Sequence, residues 1–353
     1  MNNHRNIPNL FWPVIFIGVG SLLFLSNLGM VEPLDFNILW RLWPVFLVVI
    51  GVDMLFGRRT RWLAALLTAA LGLAVVAFLY FSPVIMDQLP APEMVTESFI
   101  EPLEDADSAD ITLDFDRGNL TVDVLDASHN LFEADVTHNE ESTFRTSGSG
   151  SRSIRLELDE IGVPQFSDLF NQDAQVTADV GVASDIPLSL KVNIGSGNAK
   201  LYLQDLTLEK LEVDGGSGRI EVSLPTGDYP VKLGSGSGGI TISSAEGASL
   251  DMKAEVGSGK IMLTLAEDTA GEVELDSGSG DVTVVIPEGA AVRLDGSTGS
   301  GSVRLPDEFE RFSGGEEFSG AQGVWQTPGF EEAVQQILIK FDIGSGSLRV
   351  EYP

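Results

Sequence analysis

Three histidines, His4, His129 and His138, are the whole supply of imidazole in 353 residues, and there is no cysteine. Without thiols the chain has no disulfide, no thiolate metal site and no cysteine nucleophile. His4 lies in the N-terminal tail, and His129 and His138 stand nine residues apart without a zinc-type motif. The many Ser/Gly stretches contain no G-x-S-x-G elbow that would present a serine nucleophile. Gly234, Gly236 and Gly239 match G-x-G-x-x-G, but no helical pattern follows to aim backbone N–H groups at a phosphate. The acidic run Glu104, Asp105, Asp107 and Asp110 offers oxygen ligands of the kind calcium takes. It lacks the glycine and the closing glutamate of an EF-hand loop, so a solvated edge is the better reading. Carboxylate pairs for glycoside hydrolysis are plentiful, yet they fall on the polar half of alternating strands and no pair stands out. The residue types point away from an enzyme: no catalytic, cofactor-binding or metal-ligating residue is assigned, and no cofactor is expected.

The element that organises the chain is a ladder of Gly-Ser-Gly turns between Ile194 and Leu305. The last glycine of each turn falls at Gly197, Gly218, Gly238, Gly259, Gly280 and Gly301, at intervals of 21, 20, 21, 21 and 21 residues. After each comes an alternating run such as Ile220-Glu221-Val222-Ser223-Leu224 or Ile261-Met262-Leu263-Thr264-Leu265. A second run follows about ten residues later in most repeats, as in Val231-Lys232-Leu233 and Val273-Glu274-Leu275. A fixed period carrying two-residue alternation predicts a β-solenoid, whose coils bury a continuous core only by stacking. Glycine at the corners is expected either for positive φ or for close approach of the coil above. A flexible linker of the same composition would have no reason to alternate with regularly spaced Val, Ile and Leu.

Ahead of the ladder, three apolar segments predict a three-helix transmembrane region over residues 10–82, with spans at about 10–28, 38–56 and 62–81. The loop Gly57-Arg58-Arg59-Thr60-Arg61 is basic, and the loop with Glu32 and Asp35 has no Lys or Arg. The positive-inside rule then puts the 1–9 tail in the cytoplasm and residues 83–353 outside, in a multi-pass cell-membrane protein. Trp12-Pro13-Val14 and Trp43-Pro44-Val45 repeat 31 residues apart, with Gly20 and Gly51 in matching positions. Asp53, the one acid within a span, reads either as a contact to a partner helix or as an interface acid near Arg58.

Charge divides the chain in the same place. Residues 1–82 hold three of the 52 acidic and five of the 21 basic residues, leaving 49 and 16 in 83–353, a balance of −33. That acidic body is expected to repel nucleic acid and other anionic polymers instead of binding them. Residues 83–96, with Pro83, Pro90 and Pro92, read as a stalk, and 97–185 as an N-terminal β part opening with Ala109–Asp116, a turn at Arg117-Gly118, and Leu120–Val124. The stretch Gly162–Asp173 breaks the pattern and is expected to cover the open end of the core. Residues 186–353 hold the Gly-Ser-Gly solenoid. Its regularity breaks over 306–330, where Phe309, Phe312, Phe318 and Trp325 read as a cap or as an exposed flap, the cap being favoured because sheet edges need covering. Gly344-Ser345-Gly346 then restores the ladder for a final coil.

The Trp-Pro spans, the stretch Ala109–Val136 with Gly118-Asn119-Leu120-Thr121-Val122, and the Gly-Ser-Gly coils together resemble the LiaF-like cell-envelope stress proteins. In that family a membrane region precedes a toast-rack β domain and an adhesin-like β-solenoid. The resemblance implies a non-enzymatic bacterial membrane protein acting in the envelope-stress response, in contact with the bilayer and with a signalling partner such as a membrane sensor kinase. An alternative from a different class is a membrane-anchored surface adhesin or structural stalk.

Overall fold

The computed structural model describes residues 94–125, 129–139, 141–159, 176–313, 316–317 and 320–353, together with Ile17, Ala70 and Leu73. The chain divides into two units, Met1–Pro92 with Val163–Asp173 and Glu93–Gly162 with Ala174–Pro353, and all the described β structure belongs to the second. No helix among the described residues is long and apolar enough to cross a membrane. Apart from Ile17, Ala70 and Leu73, the three expected spans lie outside the described residues, as do the expected stalk up to Glu93 and the stretch Gly162–Asp173.

The strands run, in chain order, β1 (Val95–Pro102), β2 (Ser108–Val124), β3 (Asn130–His138), β4 (Glu141–Ser147), β5 (Ser151–Asp159), β6 (Thr177–Val182), β7 (Pro187–Tyr202), β8 (Thr207–Gly215), β9 (Ile220–Leu224), β10 (Asp228–Ser235) and β11 (Ile240–Ser244). They continue with β12 (Ser249–Val256), β13 (Ile261–Thr264), β14 (Ala270–Ser277), β15 (Val282–Val285), β16 (Val292–Thr298), β17 (Val303–Arg304), β18 (Glu310–Ser313), β19 (Glu316–Glu317), β20 (Gly320–Gln326), β21 (Ile337–Ile343) and β22 (Leu348–Glu351). Each regular coil is a longer strand, a Gly-Ser-Gly corner, a shorter strand and a tight turn back. Successive coils pair in parallel, so the longer strands form one ladder, here the first face, and the shorter strands another, the second face. Within each strand alternate residues are buried, as in the Ile220, Val222, Leu224 series of β9 and the Tyr229, Val231, Leu233 series of β10. One contiguous apolar core runs from Ala106 to Val350. Burying each such side chain contributes about 1.5–3 kcal/mol, and no single coil could form this core alone.

The stacking order departs from chain order at both ends. At the C-terminal end β21 pairs in parallel with β14 on one side and β16 on the other, and β22 lies likewise between β15 and β17. The last coil of the sequence is therefore an interior coil of the stack. At the other end β2 lies between β7 and the pair β5 and β6, so the first coil of the sequence is also not the outermost. Sequence period specifies that coils stack but not in which order, because coils of one length and pattern are interchangeable in register.

Two corners read differently from expectation. Arg117-Gly118 is not a reversal: β2 runs through it as a solenoid corner, with Gly118 at φ 119°. Gly148-Ser149-Gly150, which has the ladder's composition, instead closes an antiparallel hairpin between β4 and β5. At the regular corners the need is close approach. An added Cβ at Gly218 would lie 1.4 Å from the Gly197 carbonyl oxygen, at Gly259 1.7 Å from that of Gly238, and at Gly280 1.5 Å from that of Gly259. The same column continues from Gly280 to Gly346 to Gly301, following the interleaved order.

Both ends of the core are closed by antiparallel strands. At the N-terminal end β3 pairs with β6, β1 with β3, and β4 with β5, and Phe144 sits 5.1 Å from Phe99 and 5.8 Å from Phe132 between ring centroids. At the C-terminal end β20 pairs antiparallel with β16 and β18 with β20. Trp325 is buried there against Phe341, with centroids 6.1 Å apart, while Phe312 stays exposed. The aromatic segment after Leu305 thus covers a sheet edge that would otherwise present unpaired N–H and C=O groups.

Candidate functional site

None of the residue types that opened the sequence reading assembles into a catalytic arrangement among the described residues. His129 lies in the turn before β3, where its carbonyl accepts the Leu103 N–H at 3.0 Å. His138 is buried on β3, with Nε2 3.3 Å from a Glu97 carboxylate oxygen. Glu97 also accepts the Ser142 hydroxyl at 2.5 Å; that bond first, and His138 behind it, hold its carboxyl below the usual range. The pair joins β1 to β3 at the base of the β body. In the acidic run, Glu104 pairs with Arg152 at 2.8 Å, and Arg152 also reaches Glu101 at 3.4 Å. No group of three or more His, Asp or Glu side chains among the described residues is arranged to hold a metal ion. Gly234 and Gly236 fall at the end of β10 and its corner, and Gly239 leads into strand β11, so no helix N-terminus is there.

What the β body offers instead is two outward faces of opposite electrostatic character. On the first face, register brings cations and carboxylates of successive coils side by side. Lys191 pairs with Glu212 at 3.0 Å, and Lys210 reaches the same carboxylate. Lys253 contacts Glu255, Glu274 and Asp276 at 2.7, 2.9 and 3.1 Å, and Lys340 contacts Glu272 at 2.5 Å. The Lys191 and Lys253 contacts hold Glu212 and Glu274 below the usual carboxylate range, whereas burial pushes Asp276 up. Arg293, on β16, bonds Gln326 at 2.6 Å, pairs with Glu331 and lies over the Phe330 ring at 4.3 Å. This face neutralises most of its own cations; Lys232, exposed on β10, makes no ion pair among the described residues.

The second face does not. From β7 to β17 it carries five cations, Lys200, Arg219, Lys260, Arg349 and Arg304, all exposed. No ion pair or hydrogen bond engages the side chain of any of them among the described residues; the Arg219 backbone N–H donates to Asn198 Oδ1 at 3.0 Å. Two shallow hollows lie on this face. One, of roughly 480 Å3, is lined by Asn119, Asn198, Lys200, Arg219 and Glu221 among others. The other, of roughly 420 Å3, is lined by Lys260, Met262, Asp281, Arg304, Arg349 and Glu351 among others. Arg304 and Arg349 are direct partners on adjacent strands. Met262, 45% exposed, stands between Thr241 and Thr283 in the middle of the row. Sequence reading missed this face because the cations are scattered singly through the chain, and only the 21-residue register and the interleaving of β22 gather them.

The architecture is that of a toast-rack β-solenoid. Residues 90–243 match the model for the N-terminal domain of toast_rack, DUF2154, and residues 175–323 match Toastrack DUF4097. Residues 10–55 match the LiaI-LiaF-like transmembrane region. The resemblance to LiaF-like envelope proteins is thus carried both by the β body and by the N-terminal segment, and the latter associates the chain with a membrane. Among solved structures, a protein described as a cell adhesion protein from Clostridium sporogenes is 14% identical, with 74% of this chain and 100% of that one covered and a TM-score of 0.39. A protein described as an adhesin from Bacteroides fragilis is 11% identical, with coverage of 74% and 99% and a TM-score of 0.28. At these scores neither likeness bears on function. No curated protein matches the chain.

Proposed function

We propose that this chain is a non-enzymatic membrane protein of the bacterial cell envelope, an accessory or regulatory component of the envelope-stress response. Its N-terminal spans contact a signalling partner, and its acidic solenoid, held outside, senses or scaffolds. The observation that carries this reading is the union in one chain of a LiaI-LiaF-like transmembrane region with a toast-rack solenoid. The solenoid supplies a rigid body with a long lateral surface, suited to holding a partner without transforming it. The spans supply the small residues Gly20 and Gly51, which let helices pack closely.

The experiment replaces residues 10–82 with an unrelated three-span anchor of the same orientation. Membrane crosslinking is then followed by identification of captured proteins, beside an envelope-stress reporter. Loss of both a captured sensor kinase and the reporter response, with the β body still folded, is the expected result. An unchanged response would make the spans a mere tether and leave a surface stalk or adhesin as the reading.

A further inference from the structure

We propose that the second face of the solenoid, from Lys200 to Arg304, is a docking surface for an extended anionic phosphodiester polymer of the envelope. This deepens the reading above by naming the chemistry of the outer ligand, and it rests on that reading only for placing the face outside the cell.

The first argument is the distribution of charge. Residues 83–353 hold 49 acidic and 16 basic residues. With carboxylates in such excess, a cation is expected to find a partner. On the first face Lys191, Lys210, Lys253 and Lys340 do, and Lys232 alone on its ladder does not. On the second face none of the five makes an ion pair among the described residues, although Lys200 stands opposite Glu221 in register, and all five line the two hollows. The outward anions there are Glu221, Asp281 and Glu351, and Asp281 is partly committed to the Ser347 backbone N–H at 3.0 Å. This stretch is therefore locally cationic on a strongly acidic body. Stacked sheets lie about 10 Å apart and charges are screened beyond about 8 Å at physiological salt. An anion on the second face is largely shielded from the carboxylates of the first. The whole-body charge, which argues against anionic polymers, averages away this difference.

Geometry supplies the second argument. Arg304 and Arg349 face each other across paired strands, an arrangement that is unfavourable for like charges unless an anion lies between them. Three of the five cations are arginines, whose fork matches a phosphate or carboxylate with two N–H donors. The hollows are separated by the coil of β11, which contributes Thr241 and Ser243 outward and no charge. The row spans the seven strands β7, β9, β11, β13, β15, β22 and β17, so at the usual strand spacing it is about 29 Å long. A small anion fills one hollow only. A chain with a charge on every repeat unit engages both, and its second contact forms at the high effective concentration set by the first. Met262 in the middle offers apolar contact to the uncharged carbons between phosphates.

The test uses the full chain in nanodiscs of zwitterionic phosphatidylcholine and a fluorescent synthetic poly(glycerol phosphate) long enough to reach both hollows, with binding read by anisotropy. Binding is expected to weaken steeply between about 50 and 200 mM salt. The pair Arg304→Gln/Arg349→Gln should weaken it at least tenfold, and Lys200→Gln/Arg219→Gln, at the other hollow, should do so independently. Each cation lost should flatten the slope of log affinity against log salt by about 0.7. Lys232→Gln removes one unpartnered charge from the first face and should change nothing. All five target residues are exposed, and unchanged thermal unfolding verifies that each variant folds. The proposal is overturned if the polymer does not bind, if neither pair of substitutions weakens it, or if Lys232→Gln weakens it equally. Tighter binding of polyglutamate of matched charge would assign the face to an acidic protein. Capture by phosphatidylglycerol vesicles without binding of the soluble polymer would assign it to a lipid surface. Salt-sensitive self-association abolished by the same substitutions would assign it to a second copy of this chain. Failure here leaves the span-exchange result untouched, so the two readings fall separately.

Discussion

The middle of the solenoid and its two ends solve the same problem by different means. Between β8 and β14 every coil meets an equivalent coil above and below, and one set of contacts repeats: glycine over glycine at the corner and one apolar side chain over another inside, as in Leu211, Val231, Met252 and Val273. At the ends no equivalent neighbour exists, and each end is built individually. One end uses β1, β3 and β4 with Phe99, Phe132 and Phe144; the other uses β18 and β20 with Trp325 and an interleaved final coil. The difference teaches that repetition supplies stability per coil, whereas uniqueness at the ends decides where the stack begins and stops.

Four experiments press on that difference, in decreasing order of effect. Deleting residues 336–353 removes the coil between β14 and β16 and should abolish cooperative unfolding, seen as loss of a single thermal transition and rapid proteolysis of 290–330. A deletion product with an intact transition would show that β16 can dock directly on β14. Gly259→Ala should destabilise by about 3 kcal/mol, because overpacking against fixed structure is costly and its Cβ would lie 1.7 Å from the Gly238 oxygen. Gly247→Ala, at φ 69° with nothing within 4 Å, should cost about 1 kcal/mol of backbone strain. Denaturant titration of the two variants separates close approach from left-handed conformation as the reason for glycine.

The third experiment concerns Tyr229, buried on β10 with its hydroxyl donating to the Pro225 carbonyl at 3.0 Å. Burial pushes its phenol up, so the folded state favours the neutral form. The stability this gives is fully present below the unfolded value near pH 10 and is lost as pH rises through it toward the folded value. Unfolding followed from pH 8 to 11 should show that loss, and Tyr229→Phe should flatten it. Smallest of all, Lys253→Met removes three surface ion pairs on the first face and should shift Tm less than Gly247→Ala does, since exposed pairs contribute little. A larger loss would mean that the first face holds the stack together through its charges.

Much of the fold was legible in the sequence. The alternation of Ile220, Val222 and Leu224 and the spacing of Gly197, Gly218 and Gly238 are local, and local pattern fixes strand, face and corner. Composition failed where two structures need the same residues. Gly148-Ser149-Gly150 serves a hairpin and Gly216-Ser217-Gly218 a solenoid corner, and only the partners of the flanking strands tell them apart. Stack order was illegible for a different reason. Ile339 fits between Val273 and Leu294 as well as any other apolar residue of its size would. The cationic face was hidden by the same fact, since Arg304 and Arg349 are 45 residues apart in the chain and adjacent only once β22 is in place.

The interleaved last coil also bears on how the molecule is made and how it withstands force. During synthesis the chain emerges in order, so β16 leaves the ribosome before the strand that will join it to β14. Until β21 arrives, the edges of β14 and β16 lack the strand that pairs with both of them in the finished fold. The link from β14 to β16 through β21 is therefore completed only after Ile337–Ile343 has emerged. A pull on the C-terminus, in turn, acts on a strand hydrogen-bonded along both edges, in the manner of a clasp, and does not peel an outermost layer.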